Sequence, residues 1–235
     1  MPAPNLRIGS ELAFAALLSC LGGAASAQPA GLLYDLEPPA DSAYVRVILA
    51  SRDGAVAVKV DGKPRGAKLV AGTASDYMVL TAGKHMITLQ PVDKNGTPLT
   101  ASIDVVQGRA MTVAFTALRT DTAPILFEDK TNANKLKALL SVYRLDSGNG
   151  ALDILSADGA TKVFSGLATG TSAAISVNPI SIELIATKAG EKAAQASASL
   201  AMAQGGTYSI LLVSGQGGKL VAHSMQNKIE RYTGK

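Results

Sequence analysis

His85 and His223 are the only imidazoles in this chain, so hydrolase or acyltransferase chemistry of the Ser-His-Asp kind would have to run through one of them. That chemistry needs a nucleophile on a sharp turn and a histidine paired with an acid. His223 sits in Leu220-Val221-Ala222-His223 with no carboxylate in the three preceding residues, and no Gly-Asp-Ser or Gly-x-Ser-x-Gly block occurs. His85 shares a strand face with Ile87 and Leu89, the position of a plug at a sandwich rim rather than of a base or ligand. Metal sites lack donors too: no cysteine follows Cys20, the histidines are far apart, and no Asp-x-Asp-x-Asp-Gly loop is present. No catalytic, metal-binding or cofactor-binding residue is assigned, and the expectation is a protein that is not an enzyme.

Binding chemistry is the remaining class. Stacking on sugar rings favours exposed Trp or Tyr, whereas this chain has no Trp, and three of its six tyrosines, Tyr44, Tyr143 and Tyr208, fall inside strands. The formal charge of +4 comes from Lys and Arg scattered singly among strands, which reads as solvated outer faces and not as a nucleic-acid surface.

The elements that position these residues are strands. A chain of 235 residues suits two domains of about 100 residues each, and 47% hydrophobic residues supply two cores. Arg7, the apolar run Leu12 to Leu21 and the small-residue site Ala25-Ser26-Ala27 form an export signal over residues 1–27, cleaved near Ala27, with no transmembrane segment expected in the mature chain. Leu17-Leu18-Ser19-Cys20 leaves a lipidated Cys20 as the alternative processing. Without a disulfide the mature chain must be held by core burial.

Val45, Val47 and Leu49 alternate with Tyr44, Arg46 and Ile48, a strand that turns Arg46 outward. Val56, Val58 and Val60 continue the period of two up to the turn Asp61-Gly62. Strands follow over Ser75 to Leu80 and Met86 to Gln90, with reversals at Ala82-Gly83 and Asn95-Gly96. Ile103 and Val105, then Met111, Val113 and Phe115, flank the turn Gln107-Gly108, and the first unit closes near Leu118.

The second half echoes the first at offsets of 95 to 98 residues: Leu140 and Val142 answer Val45 and Val47, Asp158-Gly159 answers Asp61-Gly62, Gly170-Thr171 answers Gly72-Thr73, and Gln204-Gly205 answers Gln107-Gly108. Ile180, Ile182 and Leu184 give an alternating strand, Tyr208 to Val213 a strand buried on both faces, and Leu220 to Met225 a last strand. Lys188 to Ala203 has helical composition, but its place in the repeat makes Ser197 to Met202 a strand. With seven or eight short strands in each half, the fold class is all-β. Two tandem β-sandwiches of Ig-like or jelly-roll type are expected at residues 28–120 and 138–235, with 121–137 as linker. The connector Ile125 to Ala138 is expected to pack on the first domain and limit the swing between the two.

Three stretches carry a resemblance. Leu33-Tyr34 precedes Pro39 and Ser42-Ala43-Tyr44-Val45-Arg46-Val47; Glu128, Asn134 and Lys137-Ala138 run into Val142-Tyr143; and Asn178-Pro179 precedes Ile180. In this order they resemble the AlgF family, periplasmic accessory proteins of bacterial alginate O-acetylation. Two departures stand out: Ile48-Leu49 replaces an aromatic and an Asn, and the proline-rich run of the hinge is reduced to Pro124. The resemblance implies a non-catalytic adaptor in the periplasm that helps acetyl groups pass from a membrane O-acyltransferase to a periplasmic acetyltransferase and on to an exopolysaccharide, with Tyr34, Arg46, Glu128, Asn134, Lys137 and Tyr143 as partner-binding residues. The alternatives are a carbohydrate-binding module for an anionic polysaccharide, or the equivalent adaptor for cellulose acetylation.

Overall fold

The computed structural model describes residues 39–52, 54–93 and 96–232, and apart from a 3-10 turn at Gln216–Gly218 its regular elements are strands, alternating in burial where one face is open, as over Val56–Val60, and buried throughout where both are covered, as over Ala138–Arg144. The first half contains β1 (Ser42–Leu49), β2 (Val56–Val60), β3 (Lys63–Leu69), β4 (Thr73–Ala74), β5 (Met78–Thr81), β6 (Gly83–Pro91), β7 (Leu99–Val105), β8 (Ala110–Phe115) and β9 (Ile125–Asp129). The second contains β10 (Ala138–Arg144), β11 (Leu152–Ser156), β12 (Lys162–Leu167), β13 (Ser172–Val177), β14 (Ser181–Lys188), β15 (Ala194–Ala201), β16 (Thr207–Ser214) and β17 (Leu220–Gln226). The fold is all-β, two β-sandwiches in tandem. Among the described residues no helix is long and apolar enough to cross a membrane.

Each half pairs two sheets. In the first, β4-β1-β8-β9, with β5 also on β1, faces β3-β2-β6-β7. In the second, β13-β10-β16-β17 faces β12-β11-β14-β15. The repeat shows in the register: β1 runs parallel to β8 with Arg46 opposite Thr112, and β10 runs parallel to β16 with Ser141 opposite Ser209. Asp61 and Gly62, with φ of 50° and 80°, close the β2–β3 hairpin in the left-handed conformation that a two-residue turn demands.

Both sandwich cores are closed by alternate residues. Val45, Val47, Leu49, Val113 and Phe115 meet Val56, Val58, Ile87 and Leu89 in one; Leu140, Val142, Ile210 and Leu212 meet Leu152, Ile154, Leu184 and Ala186 in the other. The opposite faces of the same inner strands are also buried. Ile48, Ala50, Ala114 and Phe127 of the first half pack on Tyr143, Leu145, Leu211 and Val213 of the second in a third apolar cluster. The inner sheets therefore lie back to back, and β1, β10 and β16 are covered on both sides. The both-face burial expected of Tyr208 to Val213 is thus shared by β1 and β10.

Several sequence expectations are revised. Arg46 does point away from its own sandwich core, but it meets the second half instead of water and is 1% exposed. The strand expected over Ser75 to Leu80 is limited to Met78–Thr81; Ser75 and Asp76 lie between β4 and β5, where the Val47 amide is taken by the Ser75 hydroxyl. Ile125–Asp129 of the connector is a strand on β8, the fourth in its sheet. The strand expected over Ser197 to Met202 is present and runs from Ala194 to Ala201, since cross-strand pairing with β14 overrides helix propensity. The export signal, Cys20, Tyr34 and the turn residue Asn95 lie outside the described residues.

Candidate functional site

The seam between the inner sheets is apolar at one end and polar at the other, and Arg46 occupies the polar end. From the middle of β1 its guanidinium donates to Thr112 Oγ1 of β8 through Nε at 2.9 Å, to Ser209 Oγ of β16 through Nη2 at 3.0 Å, and to Asn227 Oδ1 through Nη1 at 2.7 Å. It also lies over two rings, 4.6 Å from the centroid of Tyr77 and 5.1 Å from that of Tyr143.

Asp129, the last residue of β9, supplies the balancing carboxylate. Thr112 Oγ1 and the Tyr77 hydroxyl donate to Oδ2 at 2.5 and 2.8 Å, and the Tyr143 hydroxyl donates to Oδ1 at 2.5 Å. Thr112 thus links cation to anion, accepting from one and donating to the other. The Tyr143 ring meets Phe127 edge-on at 5.3 Å, which fixes its direction. Burial pushes both phenols above their ordinary value; Arg46 pulls the other way and the Asp129 charge adds to the rise. Both tyrosines hold their protons, so neither phenol is a base, and the Asp129 carboxylate is taken up in accepting from Thr112 and the two hydroxyls. Its geometry fastens the two sandwiches.

A second buried arginine, Arg144 at the end of β10, clamps a loop. It donates to Asp146 Oδ1 at 2.8 Å and to the carbonyls of Gly148, Gly150 and Leu167 at 3.0, 2.5 and 2.6 Å. A buried cation with every nitrogen engaged is tolerated where an unpaired one would not be.

The histidines are placed otherwise. His85 bonds Asp61 through Nδ1 at 2.7 Å and the Thr81 carbonyl through Nε2 at 2.9 Å, which leaves neither nitrogen for a nucleophile. His223 lines a cavity of about 300 Å³ with Ser75, Asp76 and Ser224. Neither hydroxyl is directed at it: Ser75 donates to the Asp76 carbonyl and Ser224 to the Ser199 carbonyl. Among the described residues no group of three His, Cys, Asp or Glu side chains could hold a metal ion.

Of the residues singled out by sequence, Arg46 and Tyr143 come together inside the seam and are not presented to partners, at 1% and 2% exposure. Glu128 is on the surface, paired with Arg109 at 2.6 Å. Asn134 is exposed and caps its own loop, accepting from the Leu136 amide at 3.0 Å. Lys137 is half-buried, and its carbonyl accepts from Asn132 Nδ2. Sequence reading missed Tyr77, Thr112, Asp129, Ser209 and Asn227; the available signal was the apolar Ile48 on the supposed outer face of β1, which marks a strand with no solvent side.

Beside the polar end of the seam lies a cleft of about 240 Å³, lined by Tyr44, Tyr77 and Asn227 and by Lys130, Lys135 and Lys228. The chain's last segment forms one wall: the Tyr77 amide donates to the Lys228 carbonyl and the Glu230 amide to the Tyr77 carbonyl, both at 2.8 Å, bridging Tyr77 to Ile229 in parallel.

Residues 15–209 match the model of a family described as alginate O-acetyl transferase AlgF. A solved structure of the C-terminal domain of AlgF from P. aeruginosa is similar at 24% identity, covering 40% of this chain and 100% of that one, with a TM-score of 0.34 that by itself carries no structural argument. No curated protein matches. With most of its length under one family model, the chain belongs to the AlgF family of alginate O-acetylation.

Proposed function

We propose that the protein is a non-catalytic periplasmic adaptor that joins a membrane O-acyltransferase to a periplasmic acetyltransferase during O-acetylation of alginate. It is exported by the signal over residues 1–27; its second domain spans 138–235, and its first, expected over 28–120, takes in β9 of the expected linker 121–137 as an edge strand. Family membership over residues 15–209 supports the pathway. The single observation that carries the adaptor role is the seam: Arg46, Asp129, Tyr77 and Tyr143 spend their polar groups on joining the sandwiches. A fixed pair of sandwiches offers partners one composite surface, with less orientational freedom to lose on binding than two domains on a loose tether.

Co-purification with the periplasmic acetyltransferase, together with polymer acetylation in a strain lacking this protein, tests the reading. Association and loss of acetyl groups are expected. No association, with acetylation unchanged, would remove it; turnover of an acetyl ester by the purified protein would replace it with an enzymatic one.

A further inference from the structure

The cleft beside the seam has a charge that nothing in the fold uses. Lys130, Lys135 and Lys228 are exposed, and none of the three ammonium groups has an ion-pair or hydrogen-bond partner among the described residues. The carboxylates nearest in sequence are engaged elsewhere: Glu128 by Arg109, Asp129 by Thr112 and the two phenols, Glu230 by Arg65. An occupant must bring negative charge.

The wall of the cleft is also an open strand edge. In the parallel bridge Tyr77 takes the Lys228 carbonyl and the Glu230 amide, so the amide and carbonyl of Ile229 face the other way. Neither makes a backbone hydrogen bond among the described residues. Ile229 is 61% exposed and Leu136, next to Lys135, 71%. An unpaired backbone edge between apolar side chains and cations suits an extended peptide, whose main chain completes the edge while its side chains meet both. A sugar fits less well, because the Tyr77 ring already carries the Arg46 guanidinium and the chain has no Trp.

We propose that this cleft is a docking groove for an extended acidic segment of a partner protein, which adds as a strand along Ile229 and sets its carboxylates against Lys130, Lys135 and Lys228. The proposal rests on the adaptor reading and names the face that reading needs.

The test uses the full mature chain and three probes: a synthetic peptide of alternating Glu and Val, its Gln-Val counterpart, and an oligomannuronate. The Glu peptide is expected to bind more weakly as salt rises, to shift the backbone amide signals of Asn227 and Ile229, and to lose affinity about tenfold or more in the K130Q/K135Q/K228Q protein. Equal binding of the Gln-Val peptide, equal binding to the triple variant, or shifts in the cleft with the oligomannuronate alone would overturn the proposal. A second arm separates it from the adaptor reading: if the triple variant co-purifies with the acetyltransferase as well as the wild type does, the groove is refuted and the adaptor stands. If the wild type does not co-purify, the adaptor reading falls whatever the peptides do.

Discussion

The Tyr143 hydroxyl donates to Asp129 Oδ1 at 2.5 Å, so a residue in the first strand of the second sandwich is bonded to the last residue of the last strand of the first. Replacing Tyr143 by Phe keeps the ring against Phe127 and removes one donor from a half-buried carboxylate. A hydrogen bond to a charged acceptor contributes ~1.5–3 kcal/mol. Tyr143→Phe should lower the urea midpoint by that equivalent with an unchanged slope; a loss under about 0.5 kcal/mol would mean that water replaces the phenol.

Phenol ionisation gives an independent reading of the same cluster. Tyr77 and Tyr143 are raised by burial, so the stability they contribute is complete below the ordinary phenol value of about 10 and is lost as pH rises beyond it. In an absorbance titration of the native protein, these two of the six tyrosines should ionise only as the fold opens. Smooth titration of all six with near-ultraviolet circular dichroism intact would contradict the geometry.

Removing the cation should cost more than removing a phenol. Arg46→Met leaves Thr112 Oγ1 and Ser209 Oγ without their donor, Asn227 Oδ1 with Ser209 Oγ alone, and Asp129 without its counter-charge. Breaking a buried charge network typically costs ~3–5 kcal/mol. Because Arg46 bonds both halves, calorimetry should show one transition in the wild type and a split or broadened one in the variant. A Tm within a degree of wild type would show that the seam holds through its apolar end alone.

How far this arrangement was legible in the sequence depends on the distance over which each residue finds its partners. Val45, Val47 and Leu49 announce a sandwich strand because their face is set by period-two alternation within a few residues, and the echo at Leu140 and Val142 announces the second sandwich. Arg46 sits in the same strand, but its partners Thr112, Ser209 and Asn227 are 66, 163 and 181 residues away. A lone charge in an alternating strand is normally solvated, and only the packing of one sandwich on the other reverses that. Asp129 was similarly hidden within a connector rich in charge, where nothing local separates the half-buried carboxylate of the cluster from the exposed Glu128.

Acid stability should depend on Asp153, far from the seam. Its carboxyl is held below the ordinary carboxylate range by the hydrogen bond from Lys162 Nζ at 2.6 Å and by the Gly166 and Gly190 amides. A depressed value means that the stabilisation is present above the unfolded value of about 4 and is lost as pH falls through the folded one. Urea midpoints of wild type and Asp153→Asn should therefore differ at pH 7 and converge below about pH 4. A gap independent of pH would assign the effect to packing.

Gly72 and His223 test the contact between the halves from its other side. Gly72 has φ of +73°, and a Cβ there would lie 2.4 Å from the His223 ring, which β17 brings across from the second half. Ala at this position meets both a conformational penalty and a clash, and Gly72→Ala should destabilise by more than about 1 kcal/mol. The two causes are separable by a double-mutant cycle: His223→Ala removes the ring but leaves the backbone conformation, so Gly72→Ala should cost less, by ~0.5 kcal/mol or more, in that background. Strict additivity would place the whole cost in the left-handed backbone and show that His223 yields without resistance, which would make this end of the seam loose.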